Sequence, residues 1–422
     1  MIEHESEGHT TLPLARALGS KTGLCSSVRY QLSPRHDPIG GVLAKATQAD
    51  LDSLIPDRED VGSVKAIGKG GSIRQGVSAL LGETVERYAF DIVSPPPVEA
   101  SYDELAASHE MVDSKYFTYY SEESRERATE AFGTLGVLDE SEARPWIAGT
   151  NLLTGEKTYV PYELIVVDPN SDADPLLPTT SNGLACHETL PRALLASLYE
   201  QVERDAFMEA WFTRTTPTRI RLDDFEIRTE NDRVRLDLFA YETGVDLPTT
   251  GCLSRSTVRK PPYALIAGDA GPTYRDAIRS TCWEASQGWQ TLTRRDSLSA
   301  EGIDPRLIAN LTDNADYYFQ PENFGPLEFL LEGEEMSFDE IETSRSFEEP
   351  SEELAFVLDR LEAEGVTPIG VELTTPDVES TGLHVTKVVV PELLQLSLPS
   401  FPFDSHPKLE GRIETDHPHP YP

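Results

Sequence analysis

Two eight-residue stretches hold the residue types best suited to chemistry: Glu83-Thr-Val-Glu86-Arg87-Tyr-Ala-Phe90 and Glu200-Gln-Val-Glu203-Arg204-Asp-Ala-Phe207. Six of their eight positions are identical, although 117 residues separate them. On a helix advancing about 100° per residue, Glu83, Glu86 and Arg87 share a stripe with Gly76 and Ala79. Glu200, Glu203 and Arg204 likewise share one with Ala193 and Ala196. A single Glu-x-x-Glu-Arg is ordinarily a solvated face with an i,i+4 ion pair worth a few tenths of a kcal/mol. Two near-identical copies point elsewhere. Four carboxylates on facing helices repel one another unless cations lie between them, and Mg2+ prefers carboxylate and phosphate oxygens. Arginines flanking such a site suit bidentate phosphate binding. The spacing predicts a nucleotide and Mg2+ site between two helices. No Gly-x-x-x-x-Gly-Lys-Ser/Thr occurs, and Gly68-Lys69-Gly70-Gly71-Ser72 is too short to be a P-loop.

The elements that must position these residues follow from periodicity. Apolar residues from Ile73 to Tyr88 recur at helical spacing and predict a helix over 72–90, entered through the Gly68–Ser72 turn. A second helix is predicted over about 190–212, after Ser181-Asn-Gly-Leu-Ala, and a third over about 274–294. Short strands are expected at 22–31, 40–47, 367–373 and 384–390, and a hairpin running from Trp146 to about 167 turns near Gly155. Residues 94–144 read as a less regular insertion with a helix at 122–132, and 352–364 as a short amphipathic helix. The acidic stretch 320–350 is expected to be mobile, and 399–422 is a proline-rich tail. Trp146, Trp211, Trp283 and Trp289 are expected in packing roles.

Composition narrows the function. Asp and Glu number 73 against 36 Lys and Arg, a formal charge of −37, and only nine of the basic residues are Lys. A nucleic-acid backbone would be repelled, so nucleic acid is excluded as a partner. The acid is spread along the whole chain, which fits a surface adapted to a high-salt cytoplasm, where molar salt cuts the Debye length to about 3 Å. No apolar run approaches the roughly 18 residues of a membrane span, and the opening Met-Ile-Glu-His-Glu lacks a signal peptide's basic start. A cytoplasmic protein without a membrane partner is predicted. Cys25, Cys186, Cys252 and Cys282 are scattered, without zinc spacing, and read as reduced and mostly buried thiols. His187 beside Cys186 reads as a loop histidine next to a buried thiol, because adjacent residues rarely aim at each other.

The order of motifs resembles the YcaO family. The resemblance rests on Gly68-Lys69-Gly70, then Ser78-Ala-Leu-Leu-Gly-Glu83-Thr-Val-Glu86-Arg87-Tyr, then Ser181-Asn-Gly-Leu-Ala before Glu200-Gln-Val-Glu203-Arg204-Asp-Ala, then Glu284-Ala-Ser-Gln287. It covers roughly 12–422. The final Pro418-His-Pro420-Tyr-Pro422 is similar to the PxPxP end of the azoline-forming, SagD-type cyclodehydratases of thiazole/oxazole-modified microcins. The chain departs from the pattern at Ala79, where Ser is usual, at Arg192, where an acid is usual, and at Trp289, where Arg is common.

The resemblance implies an α+β, YcaO-type fold whose antiparallel and mixed sheets and long helices line a nucleotide cleft. It implies a strand-rich start at 1–60, an ATP- and Mg2+-binding core over 61–398 with acidic insertions at 94–144 and 320–350, and a tail over 399–422 that folds back to the site. Glu83, Glu86, Glu200 and Glu203 would hold Mg2+. Arg87 and Arg204 would bind phosphate, and Glu284 and Gln287 would reach the nucleotide. The carboxylate of Pro422 would orient or deprotonate the substrate. The implied activity is ATP-dependent conversion of Cys, Ser or Thr in a ribosomal precursor peptide to azolines, by phosphorylation of the backbone amide oxygen.

Without a recognisable ThiF-like segment, the chain resembles the stand-alone form, which works with a separate ThiF-like, leader-binding partner and in some systems a flavin-dependent dehydrogenase. Oligomeric state, including a homodimer, is left open. Thioamide formation with a TfuA partner and a non-catalytic docking scaffold are the rival readings; Ala79, Arg192 and Trp289 are the features that favour the scaffold.

Overall fold

The computed structural model describes residues 11–19, 21, 23–33, 37, 39–49, 66–92, 96–166, 173–223, 225, 227–231, 233–258, 263–292 and 304–421. A short helix α1 (Thr11–Ala15) precedes an antiparallel sheet of β1 (Cys25–Leu32), β2 (Val42–Gln48) and β3 (Ile67–Gly70), and β3 leads into helix α2 (Ile73–Ile92). Next come β4 (Val98–Ala100), α3 (Tyr102–Ala106), α4 (Glu122–Phe132), β5 (Arg144–Asn151) and β6 (Lys157–Pro161). β7 (Leu184–His187) leads into α5 (Leu190–Thr213), whose Thr189 cap accepts from the Arg192 amide and whose first turn holds Pro191. Strands β8 (Thr218–Arg221), β9 (Val234–Ala240), β10 (Thr249–Ser256) and β11 (Ala264–Ala270) follow, and β11 leads into α6 (Tyr274–Leu292). The chain continues through α7 (Leu311–Tyr318), β12 (Glu335–Ser337), α8 (Phe338–Ile341), α9 (Pro350–Glu364), β13 (Ile369–Glu372), α10 (Pro376–Glu379) and β14 (His384–Val389).

Two larger sheets organise these elements. One has the order β11-β10-β9-β8-β12, with β12 parallel to β8 and the rest antiparallel. The other runs β4-β5-β13-β14-β7, with β6 also paired to β5. This is the α+β arrangement that the sequence implied. The sheet ending in β11 is buried on both faces. Phe239, Leu253 and Ile266 face the main core with Phe207 and Trp211, while Leu238, Cys252 and Leu265 face a second core built with Ile278, Cys282 and Trp289 of α6. Among the described residues, no helix is long and apolar enough to cross a membrane.

The three long helices share one plan. Each follows a strand after a short turn, and each carries an acid at its eleventh residue: Glu83 in α2, Glu200 in α5 and Glu284 in α6. Three residues further stand Glu86, Glu203 and Gln287.

Several expectations are corrected. The Gly68–Ser72 turn is mostly strand: β3 ends at Gly70, and Gly71 and Ser72 alone make the bend. The hairpin's second strand stops at Pro161 and gives way to a 3-10 turn over Tyr162–Leu164. The acidic 320–350 stretch is packed, with Leu327 and Leu330 in the main core and β12 on a sheet edge, because its apolar residues are buried while its acids face solvent. No correction applies to the proline-rich tail, which the resemblance implied would fold back: Phe401, Phe403 and Tyr421 are buried. Trp146, Trp211 and Trp289 are buried; Trp283 is half-buried against Gly71.

Candidate functional site

A cavity of about 600 Å3 lies where α2, α5 and α6 meet. The seventh, eleventh and fourteenth residues of each helix line it: Ala79, Glu83 and Glu86; Ala196, Glu200 and Glu203; Ser280, Glu284 and Gln287. Spacings of three and four residues put such positions on one face of a helix. Arg87 and Arg204 complete the set, so all eight nucleotide-site residues read from the sequence line one cavity. The ninth, Pro422, lies outside the described residues.

The small-residue stripe is only partly right. Ala79 and Ala196 reach the cavity, but Gly76 packs on Val42 and Ala193 has no exposure. Gly82, whose Cβ would meet nothing within 4 Å, also lines the cavity. Ser78 lines the cavity beside Ala79, and Glu188 lines it where Arg192 does not. Trp289 faces the second core instead. His187 is the last residue of β7 rather than a loop residue; burial and Arg192 lower its pKa to about 4, leaving it neutral. Of the thiols, Cys25, Cys252 and Cys282 are buried and Cys186 lines the cavity; burial raises the Cys186 thiol, so it is no ready nucleophile.

Backbone amides orient the acids. Glu83 Oε2 accepts from the Ile67 amide at 3.0 Å and Glu200 Oε2 from the Gly183 amide at 2.8 Å. Lys69 Nζ meets Glu284 Oε2 at 3.0 Å, Arg87 Nη2 stands 3.8 Å from Glu83 Oε1, and Arg204 Nη2 stands 3.4 Å from Glu200 Oε1.

Charge within the cavity is unbalanced. Seven acidic side chains line it against Lys69, Arg87 and Arg204. Loss of solvent, and then repulsion by Glu284, raises the Glu83 carboxyl. Loss of solvent, with repulsion from Glu83 and Glu200, raises Glu86 well above the usual range, and loss of solvent with Asp269 and Glu284 does so for Glu203. Asp269 of β11 is pushed up to about 6, chiefly by desolvation. Yet Arg87 Nε and Arg204 Nη1 are buried without a hydrogen-bond partner. Carboxylates in excess of cations, beside arginines that each keep a nitrogen without a hydrogen-bond partner, fit a ligand that brings positive charge and phosphate oxygens together: a polyphosphate with a divalent metal. Among the described residues, no three of the acids, histidines and thiols converge as a finished metal cage. Mg2+ normally keeps waters and takes only one or two carboxylates, so the donor set remains suited to it.

Sequence reasoning missed Lys69, Asp269 and Ser280 as site residues. Lys69 lay within a quoted motif without a role. Asp269 and Ser280 belong to the third strand–helix unit, whose Glu284-Ala-Ser-Gln287-Gly288 keeps the spacing of the other two while replacing the second Glu and the Arg.

A family model described as YcaO cyclodehydratase, ATP- and Mg2+-binding, matches residues 67–394. A curated relative from Rhizobium leguminosarum bv. trifolii, an uncharacterized protein in the tfuA 3' region, is 27% identical over 198 residues, 42% of this chain and 46% of the relative. A solved heterocyclase in complex with substrate and cofactor superposes with a TM-score of 0.75 at 19% identity, over 98% of this chain and 58% of that one. YcaO from Methanopyrus kandleri bound with AMPPCP and Mg2+ superposes with a TM-score of 0.63 at 18% identity, over 93% of this chain and 89% of that one. The chain thus spans about half the length of the curated relative and of the heterocyclase.

Proposed function

This chain belongs to the YcaO family, and on that premise we propose that it is an ATP- and Mg2+-dependent cyclodehydratase of a ribosomal precursor peptide. A Cys, Ser or Thr side chain of the peptide attacks the preceding carbonyl carbon. The carbonyl oxygen takes the γ-phosphoryl group of ATP and departs as phosphate, leaving ADP and a thiazoline or oxazoline. Such a transfer needs positioning and charge neutralisation more than a covalent contribution from the protein. Mg2+, when bound, would neutralise phosphate charge beside Glu83, Glu86, Glu200 and Glu203. Arg87 and Arg204 would hold phosphate oxygens, and Glu284 and Gln287 would close the nucleotide side.

The observation that carries this reading is the excess of carboxylates over cations in one cavity, whose two arginines each keep a buried nitrogen without a hydrogen-bond partner. In the proposed organisation the core over 61–398 binds nucleotide and the 399–422 tail folds back to the site, with Pro422 meeting the substrate. A ThiF-like partner would deliver the peptide, and a flavin-dependent dehydrogenase would act on the azolines. The test is mass spectrometry of a Cys/Ser/Thr-rich peptide incubated with the protein, its ThiF-like partner, ATP and Mg2+. One water lost per ring and one phosphate released supports the reading; a folded protein that binds no nucleotide supports the docking scaffold instead.

Thioamide formation is the second reading, favoured by the tfuA neighbourhood of the curated relative. Exchange of an amide oxygen for sulfur, dependent on a sulfur source, distinguishes it.

A further inference from the structure

The stretch from Pro399 runs back across the molecule and brings Tyr421 to the wall of the site. Its ring has no solvent exposure, packs on Phe207 with centroids 4.4 Å apart, and lies 4.6 Å from the Arg204 guanidinium. Its phenol donates a hydrogen bond to Glu203 Oε1, and its carbonyl accepts one from Asn314 Nδ2 at 3.2 Å. Upstream, His419 Nε2 donates to Ser397 O at 2.7 Å and Tyr318 donates to Pro418 O, so the approach is fixed before Tyr421 is reached. On the facing strand β11, Gly268 leaves room that a Cβ would take, since it would stand 2.7 Å from the phenol oxygen. Glu203 is only 6% exposed, so the direction of its carboxylate is set by these neighbours rather than by water.

We propose that Tyr421 is a positioning residue: its phenol fixes the Glu203 carboxylate toward the cavity, so that seating of the tail and binding of a divalent cation form one linked equilibrium. This rests on the nucleotide and metal reading above. A carboxylate that meets a cation is itself oriented by hydrogen bonds, and losing such an outer partner typically weakens metal binding about 10–100-fold. A cation that binds only the seated arrangement stabilises the seated tail in return.

Tyr421→Phe tests this directly, because it keeps the ring on Phe207 and Arg204 and removes one oxygen. Mn2+, visible by electron paramagnetic resonance, is titrated into full-length protein with saturating AMPPCP. Tyr421→Phe is expected to weaken Mn2+ binding about 10–100-fold. In a Glu203→Gln background the same substitution is expected to add nothing, because the phenol acts through that carboxylate. Asn314→Ala, which releases the Tyr421 carbonyl and keeps the phenol, is expected to weaken Mn2+ less than Tyr421→Phe. Equal Mn2+ affinity in parent and Tyr421→Phe overturns the proposal, as does full additivity with Glu203→Gln. A folded parent that binds AMPPCP but no Mn2+ also overturns it. A folded parent that binds neither contradicts the nucleotide reading itself.

Discussion

Glu83 and Glu200 stand at the same position of two helices and each accept a backbone amide from the segment that feeds its helix: Ile67 at 3.0 Å and Gly183 at 2.8 Å. In both, Oε2 is committed to the backbone, while Oε1 faces the arginine one turn on, Arg87 at 3.8 Å and Arg204 at 3.4 Å. The repeated sequence therefore reflects repeated geometry: the segment that feeds the helix hands an amide to the acid, and the acid stands beside the guanidinium one turn on.

The second of these amides depends on a glycine. Gly183 has φ +71, and a Cβ there would lie 2.0 Å from Val388 O. Gly183→Ala is expected to cost at least about 1 kcal/mol, since both the backbone conformation and the space refuse a side chain. Thermal unfolding should move down by a few degrees, and nucleotide affinity should fall as Glu200 loses its donor. An unchanged unfolding temperature would count against the described turn into β7.

The arginines should differ in weight. The Arg204 side chain is 14% exposed and the Arg87 side chain 36%. A charge-assisted hydrogen bond is worth about 1.5–3 kcal/mol when sheltered and less when solvated, so Arg204→Ala should weaken ATP binding by roughly 10–100-fold. Arg87→Ala should weaken it less. Calorimetry on both variants checks the order.

Asp269 predicts a pH signature. Its folded-state pKa of about 6 lies above the ordinary carboxylate value, so the folded protein holds a proton that the unfolded chain has released. Its contribution to apo stability is full below about pH 4 and is lost as pH rises through 6. Asp269→Asn should remove that part of the slope between pH 4 and 6 in denaturant unfolding, measured as the difference from the parent. Divalent cations favour the ionised acids, so stabilisation by Mg2+ should grow from pH 5 to 7. A parent and an Asp269→Asn variant with parallel profiles would contradict the assignment.

The charge of −37 predicts a dependence on salt. Self-repulsion is screened when the Debye length shrinks to about 3 Å in 1 M salt, so the unfolding temperature should rise between 0.1 M and molar KCl. Equal stability in both would defeat the proposed adaptation to a saline cytoplasm.

Much of the site was legible because it is written twice. Glu-x-x-Glu-Arg recurs with its helix spacing intact, and all eight nucleotide-site residues drawn from the motifs meet in the cavity. The third unit was harder to see, because Gln287 and Gly288 stand where the other helices have Glu and Arg. Strands β8–β11 went unread for a different reason. In β10, every residue but Arg255 is buried, and neighbours such as Cys252 and Leu253 enter different cores, so the inside–outside alternation that marks a half-exposed strand is missing. Composition misled at 320–350, where the excess of acid concealed Leu327, Phe329 and Leu330, which are buried.

The central claim is that the two repeats bind one nucleotide between them. Calorimetric titration of ATP with Mg2+ in molar KCl, on protein with an untagged C-terminus, tests it beside a Glu83→Gln, Glu200→Gln double variant. The account predicts binding in the parent and its loss, by about 100-fold or more, in the double variant, since charged partners worth about 1.5–3 kcal/mol each are removed. A folded parent that binds no ATP, or a double variant that binds it as well as the parent does, would contradict it.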